Sequence, residues 1–292
     1  MNTPPQLLGE HACFGGVQRF YQHASSTIGL PMKFAVFLPP QAAIDAAGGT
    51  VPALVYLAGL TCNEETFMVK AGAQRLAASL GLALIAPDTS PRGAHLPGDA
   101  ESWDFGVGAG FYLDATQTPW SQHYRMESYI TGELLPLLTG TLPLKAGRIG
   151  IFGHSMGGHG ALTLALRHPD LFKSVSAFAP ICAPSQCPWG RKAFTGYLGA
   201  DESVWAAHDA TALMTRLDAA PYPGGILIDQ GLADKFLSEQ LNPQLFEAAC
   251  ARAGQTLQLR RHAGYDHGYY FISTFMADHL NHHAQQLSEL ST

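Results

Sequence analysis

The chain has 292 residues, 47% of them apolar and only 14% charged, with a formal net charge of −6. This composition excludes a disordered chain and supplies the core of a single α/β domain spanning residues 1–292. The negative charge argues against nucleic acid or an anionic membrane as partner, and no stretch is apolar for long enough to span a bilayer. The opening segment, MNTPPQLLGEHACFGG, lacks the basic start and apolar centre of a signal peptide. The cysteines are Cys13, Cys62, Cys182, Cys187 and Cys250, with no C-x-x-C pair and no zinc spacing. An odd, scattered set of this kind fits reduced thiols in a cytoplasm, where a Cys182–Cys187 disulfide is not expected.

Apolar runs and helical patterns alternate along the chain. Arg19 to Ser25 and Met32 to Leu38 are close together and amphipathic, and are expected to pair antiparallel at one edge. Pro39 to Val51 is rich in Ala and Gly and reads as a loop. Ala53 to Leu57, Leu82 to Ala86, Arg148 to Phe152, Ser174 to Phe178, Gly225 to Asp229 and Thr256 to His262 read as further strands, short as covered parallel strands are. Helical patterns fill the gaps at Thr66 to Leu80, Met126 to Leu138, Gly160 to His168, Gln244 to Ala253 and Tyr269 to Leu287. The alternation predicts a doubly wound, mostly parallel eight-stranded sheet flanked by helices, with its site at the carboxyl ends of the strands.

The stretch RIGIFGHSMGGHGALTLALRH, from Arg148 to His168, carries the chemistry. An apolar strand leads into G-x-S-x-G at Gly153 to Gly157, and a helical pattern follows. In that context the motif is a nucleophile elbow with Ser155 as nucleophile. The turn is tight enough to require small neighbours, which Gly153, Gly157 and Gly158 supply. Eight strands with the elbow after the fifth is the order of an α/β-hydrolase. A serine hydroxyl needs a base, and the base an orienting acid. In this order the acid follows the next strand but one, where Asp229 stands at the tip and Asp234 in the loop beyond. Asp234 has the better reach, and it also suits an N-cap for the segment starting at Lys235 and Phe236. The base follows the last strand, where His267 lies in the flexible setting Gly264-Tyr265-Asp266-His267-Gly268. His154 and His159 flank the serine but are expected to point elsewhere, in packing or supporting hydrogen bonds. His279, His282 and His283 fall in the last helix and are expected to be solvated. No H-E-x-x-H or comparable spacing appears among the 13 histidines, so no metal and no cofactor is expected.

A tetrahedral intermediate needs two donors to its oxyanion. One is the N–H of Met156. The other is assigned to the N–H of Leu60, in the loop after the third strand, with Gly59 letting the backbone bend. Cys62 then sits near the substrate, either as a small buried hydrophobe or as a thiol whose modification blocks the site. Trp103 and Trp189 are candidate walls of a substrate cleft, with aromatic core packing as the alternative. Lys192, Arg191 and Arg92 lie near predicted strand-tip loops as candidate local cations, with ordinary surface roles as the alternative.

GLTCNEETF from Gly59, WDFGVGAGFYLDAT from Trp103, GHSMGGHGAL from Gly153, SVSAFAPICAPSQCPWG from Ser174 and GYDHGYYFISTF from Gly264 together resemble the S-formylglutathione hydrolase (esterase D) family. The resemblance runs from Phe14 to the final helix. It implies the triad Ser155, Asp234 and His267, with the acid in the D-Q-G-x-x-D-x-F pattern that Asp229 to Phe236 repeats, and this raises Asp234 over Asp229. It also implies a cytoplasmic homodimer that hydrolyses the small molecule S-formylglutathione to glutathione and formate in formaldehyde detoxification. A formyl group carries only hydrogen on its carbonyl carbon, so larger acyl chains are expected to react worse. The reaction is expected to fail at acid pH, because a protonated His267 cannot accept a proton. The rivals are a general carboxylesterase or an acyltransferase of the same fold, as in the mycolyltransferases, and a non-catalytic binding module, which a fluorophosphonate probe would leave unlabelled.

Overall fold

The strands in chain order are β1 (Gln6–Cys13), β2 (Gly16–Ala24), β3 (Pro31–Leu38), β4 (Val51–Leu57), β5 (Ala83–Pro87), β6 (Leu144–His154), β7 (Phe172–Phe178), β8 (Ile226–Gly231) and β9 (Leu257–His262). They form one sheet in the order β1-β2-β3-β5-β4-β6-β7-β8-β9 in a computed structural model that describes residues 4–44 and 49–289. The pairs β1–β2, β2–β3 and β3–β5 are antiparallel, and every pair from β4 onward is parallel. This is the mostly parallel sheet expected, with nine strands instead of eight. The additional strand is β1, whose residues are largely exposed and show no apolar alternation. A register shift between Leu7 and Gly9 breaks its pattern further. The other edge strand, β9, is also polar, and charged edges resist pairing with another chain. The central strands β5 and β8 are buried throughout, as strands covered on both faces must be.

The helical stretch expected over Thr66 to Leu80 is two helices, Glu64–Lys70 and Gln74–Leu80, separated at Gly72, which has φ 67. Asn63 caps the first by accepting from Glu65 and Thr66 N–H. Met126 to Leu138 is helical but changes winding, with an i→i+5 segment at Tyr129–Leu134 just before Pro136, which has no N–H to give. Pro188–Leu198, with Pro at its first position, is a helix beyond those expected. Within Pro39 to Val51 the chain makes a helical turn, Gln41–Ile44, and residues 45–48 lie outside the described residues. Among the described residues no helix is long and apolar enough to cross a membrane. All five cysteines are free, including Cys182 and Cys187.

The last helix, Tyr269–Glu289, corrects one expectation. His279 and His283 are fully buried, not solvated. His283 meets Ser174 Oγ through Nδ1 at 2.6 Å and Ser176 Oγ through Nε2 at 2.9 Å. His279 meets Ser176 Oγ at 2.8 Å and Asp229 Oδ2 at 3.2 Å. Ile272, Met276, His279, His283 and Leu287 are all buried, so the helix presses one face on the sheet. His282, beside them, is half-buried and reaches the Val175 carbonyl at 3.1 Å.

Candidate active site

Strand β6 ends at His154, and Ser155 follows with φ 57 and ψ −118, before the helix Met156–Arg167. A positive φ is costly for serine and persists only where its surroundings enforce it. Here the Ser155 N–H donates to Phe178 O at 3.0 Å, while its carbonyl accepts from His159 N–H at 2.9 Å and Ile181 N–H at 3.3 Å. The glycines leave room for the turn. A Cβ on Gly157 would overlap the Leu57 carbonyl and stand 2.6 Å from Ala58 O, and one on Gly158 would stand 2.8 Å from Pro180 Cβ.

The loops after β8 and β9 bring Asp234 and His267 together. His267 Nδ1 lies 2.5 Å from Asp234 Oδ2, and Asp234 Oδ1 accepts the Phe236 N–H at 2.8 Å. Gln230 Nε2 approaches the same Oδ2 at 3.4 Å. Asp234 therefore orients a histidine and caps its own loop at once. With Nδ1 engaged, Nε2 is the His267 nitrogen left to meet a hydroxyl. Asp229 is placed differently. Its oxygens are taken by Arg260 at 2.6 and 2.5 Å, His262 at 3.0 Å and His279 at 3.2 Å. Burial alone would raise its pKa, but the hydrogen bonds from His279 and Arg260 outweigh that and hold it well below the usual carboxylate range.

Ser155 and His267 line one cavity of about 130 Å³, together with Gly59, Leu60, Cys62, Trp103 and Trp189. Trp103 meets Trp189 edge-on at 5.4 Å, Trp189 packs on Phe236 at 4.7 Å, and Phe236 stands edge-on to His267 at 5.0 Å. Phe236, Tyr269 and His154 also line the cavity, and sequence reasoning did not place them there. Their positions carried a signal: Phe236 is two residues from Asp234, Tyr269 two from His267, and His154 adjoins Ser155. His154 packs on the His267 ring at 4.4 Å, and burial, with His267 close by, pushes its pKa well below the ordinary imidazole value. It stays neutral beside His267. His159 turns away from the cavity to meet Phe111 O at 3.2 Å, and burial lowers its pKa to about 3. Met156 is fully buried at the first turn after Ser155. In the Gly59 loop, Thr61 N–H donates to Gly108 O and Cys62 N–H to Gly59 O, which fixes the backbone on either side of Leu60. Burial raises the Cys62 thiol, partly offset by a hydrogen bond with Thr66, so the group lines the cavity as a thiol.

The three candidate cations are not brought into the cavity. Lys192 Nζ binds Asp104 and, at 2.6 Å, Ser102 Oγ, so it holds the segment on both sides of Trp103. Arg191 pairs with Glu202 at 2.5 Å, and Arg92 with Asp88 at 2.7 Å. Each is already paired with a carboxylate. Among the described residues no group of three or more His, Cys, Asp or Glu side chains is arranged to hold a metal ion.

Residues 25–282 match the Esterase family. The chain is 52% identical over 282 residues to the S-formylglutathione hydrolase of Mus musculus, covering 96% of this chain and 98% of that protein. It is 50% identical over 287 residues to the S-formylglutathione hydrolase of Paracoccus denitrificans (strain Pd 1222), covering 98% of this chain and all of that one. The solved structure of an S-formylglutathione hydrolase from Agrobacterium tumefaciens superposes with a TM-score of 0.91 at 48% identity, covering 98% of this chain and 100% of that chain.

Proposed function

The chain belongs to the Esterase family, beside S-formylglutathione hydrolases half identical to it over nearly their full length, and from that premise we infer that it hydrolyses S-formylglutathione to glutathione and formate. It is an α/β-hydrolase working as a serine esterase on a thioester. The observation that carries the residue roles is the 2.5 Å contact of Asp234 with His267 at the wall of the cavity that Ser155 lines.

Ser155 Oγ attacks the formyl carbon while His267 Nε2 takes the hydroxyl proton. Asp234 holds the imidazole in the required tautomer and stabilises it once charged. The N–H groups of Leu60 and Met156 hold the oxyanion. The C–S bond then breaks, and His267 returns the proton to the departing sulfur, releasing glutathione and leaving a formyl ester on Ser155. A water, deprotonated by His267, attacks that ester, and formate leaves as the proton returns to Ser155. A formyl carbon carries only hydrogen, so longer acyl groups are expected to react worse. Gly59, Cys62, Trp103 and Trp189 form the walls of the cavity, and Lys192 acts on it through Trp103. The same reading makes the chain a single catalytic domain, a cytoplasmic homodimer, and a step in formaldehyde detoxification.

The test compares S-formylglutathione with p-nitrophenyl acetate, using Ser155→Ala and Asp234→Asn. Thioester turnover well above ester turnover is expected, with complete loss in Ser155→Ala and a fall of about 10⁴ in kcat for Asp234→Asn. Ester cleavage without thioester preference would make the protein a general esterase. Asp234→Asn at wild-type rate would remove Asp234 from the triad.

A further inference from the structure

A cavity of about 130 Å³ holds a formyl thioester but not a tripeptide, so the glutathionyl part must lie along the rim. That peptide carries a carboxylate at each end, and the protein's net charge of −6 opposes its approach. Local cations are needed, and those around the cavity divide into two kinds. Arg92, Arg191 and Lys192 are already paired with Asp88, Glu202 and Asp104. Lys70 and Lys235 instead rest on aromatic walls of the cavity. Lys70 Nζ lies 5.8 Å from the Tyr269 ring centre, and Lys235 Nζ lies 4.9 Å from that of Phe236. Both side chains are exposed.

The surroundings of Lys70 add a second observation. A cleft of about 410 Å³ is lined by Lys70, Tyr269, Tyr270 and Ser273. Tyr269 belongs to both this cleft and the catalytic cavity, so the two adjoin across one ring. Tyr270 is 88% exposed, a large aromatic face left in water beside an ammonium. Lys235 follows the acid Asp234 directly, and the ring it covers stands edge-on to His267.

We propose that Lys70 and Lys235 receive the two carboxylates of the glutathionyl group, with the cleft beside Tyr269 seating one arm of the peptide. This rests on the reading of the substrate as S-formylglutathione and names the side chains that distinguish it from other thioesters. The positions explain how a small acyl site selects a long anionic thiol. Selection occurs outside the cavity, on two of its walls, while the reacting carbon stays beside Ser155. The alternative role of the two lysines is to cover apolar rings with their stems while their charge stays in water.

The experiment uses wild type, Lys70→Gln, Lys235→Gln and the double variant. Each is assayed on S-formylglutathione and on the uncharged S-formyl-2-mercaptoethanol. S-methylglutathione is added as a competitive inhibitor of p-nitrophenyl acetate cleavage. The ratio of kcat/KM for the anionic over the neutral thioester is expected to fall about threefold in each single variant and about tenfold in the double, as partly screened ion pairs allow. The inhibition constant of S-methylglutathione should weaken in proportion, and 0.5 M NaCl should bring wild type toward the double variant. A double variant that keeps the wild-type ratio and inhibition constant overturns the inference alone. So does an equal loss on both thioesters, which marks a merely structural role. Wild type that fails to turn over S-formylglutathione overturns the underlying reading, and the inference with it.

Discussion

Acidification should unfold this protein earlier than its carboxylates would require, because several histidines are buried without charge. Burial lowers His159 to about 3 and His282 to about 4. Burial also pushes His154 and His283 well below the ordinary value. In the unfolded chain each imidazole titrates at about 6.5. The unfolded state therefore binds these protons first, so the stability they support is complete above that pH and is lost as pH falls through it toward the folded values. As long as a folded ring stays neutral, the loss depends only on the unfolded titration. It amounts to about 1.2 kcal/mol per histidine between pH 7 and 5.5, or about 5 kcal/mol for the four. That is a large part of the 5–15 kcal/mol typical of a folded domain. The carboxylates whose pKa is depressed, among them Asp229 and Glu127, lose their contribution only at lower pH, so histidines dominate this window.

The assay is urea unfolding followed by tryptophan fluorescence at half-unit steps from pH 7.5 to 5.5. The expected slope near pH 5.5 is about 3–4 protons, and His159→Gln should lower it by about one proton. A total loss under about 1 kcal/mol would mean that no more than one imidazole is withheld from protonation, and would refute the reasoning.

Two further outcomes follow from packing and charge. Gly157→Ala places a Cβ against backbone that cannot yield, the Leu57 carbonyl and Ala58 O, and should cost more than about 3 kcal/mol; a melting temperature within a few degrees of wild type would contradict this. Lys192→Met releases the Trp103 segment from Ser102 and Asp104 and should raise KM for S-formylglutathione about fivefold while moving kcat less than twofold, a split that equal changes in both would refute.

What could be read from the residues was what local geometry dictates. The elbow is legible because a turn this tight leaves no room for a Cβ at Gly153 or Gly157, so the glycines flanking the serine mark it in the sequence. The central strands are legible because burial on both faces leaves them apolar. The acid was ambiguous for a physical reason. Asp229 and Asp234 both end the same strand region, and only contacts with Arg260, His262 and His279, distant in sequence, occupy the first of them. The same distance hid His279 and His283. Their spacing continues the stripe of Ile272 and Met276, yet histidine in a late helix reads as polar until Ser174 and Ser176 are known to face it. The cations show the limit most clearly. Lys192 and Lys70 are alike in sequence, and loop position favoured Lys192. Whether an ammonium is available to a ligand depends on whether a carboxylate has already claimed it, and Asp104 claims Lys192 across 88 residues while Lys70 lies over the face of Tyr269. Charge availability is a tertiary property, so the substrate's reacting end could be read from the chain while the residues that recognise its far end required the fold.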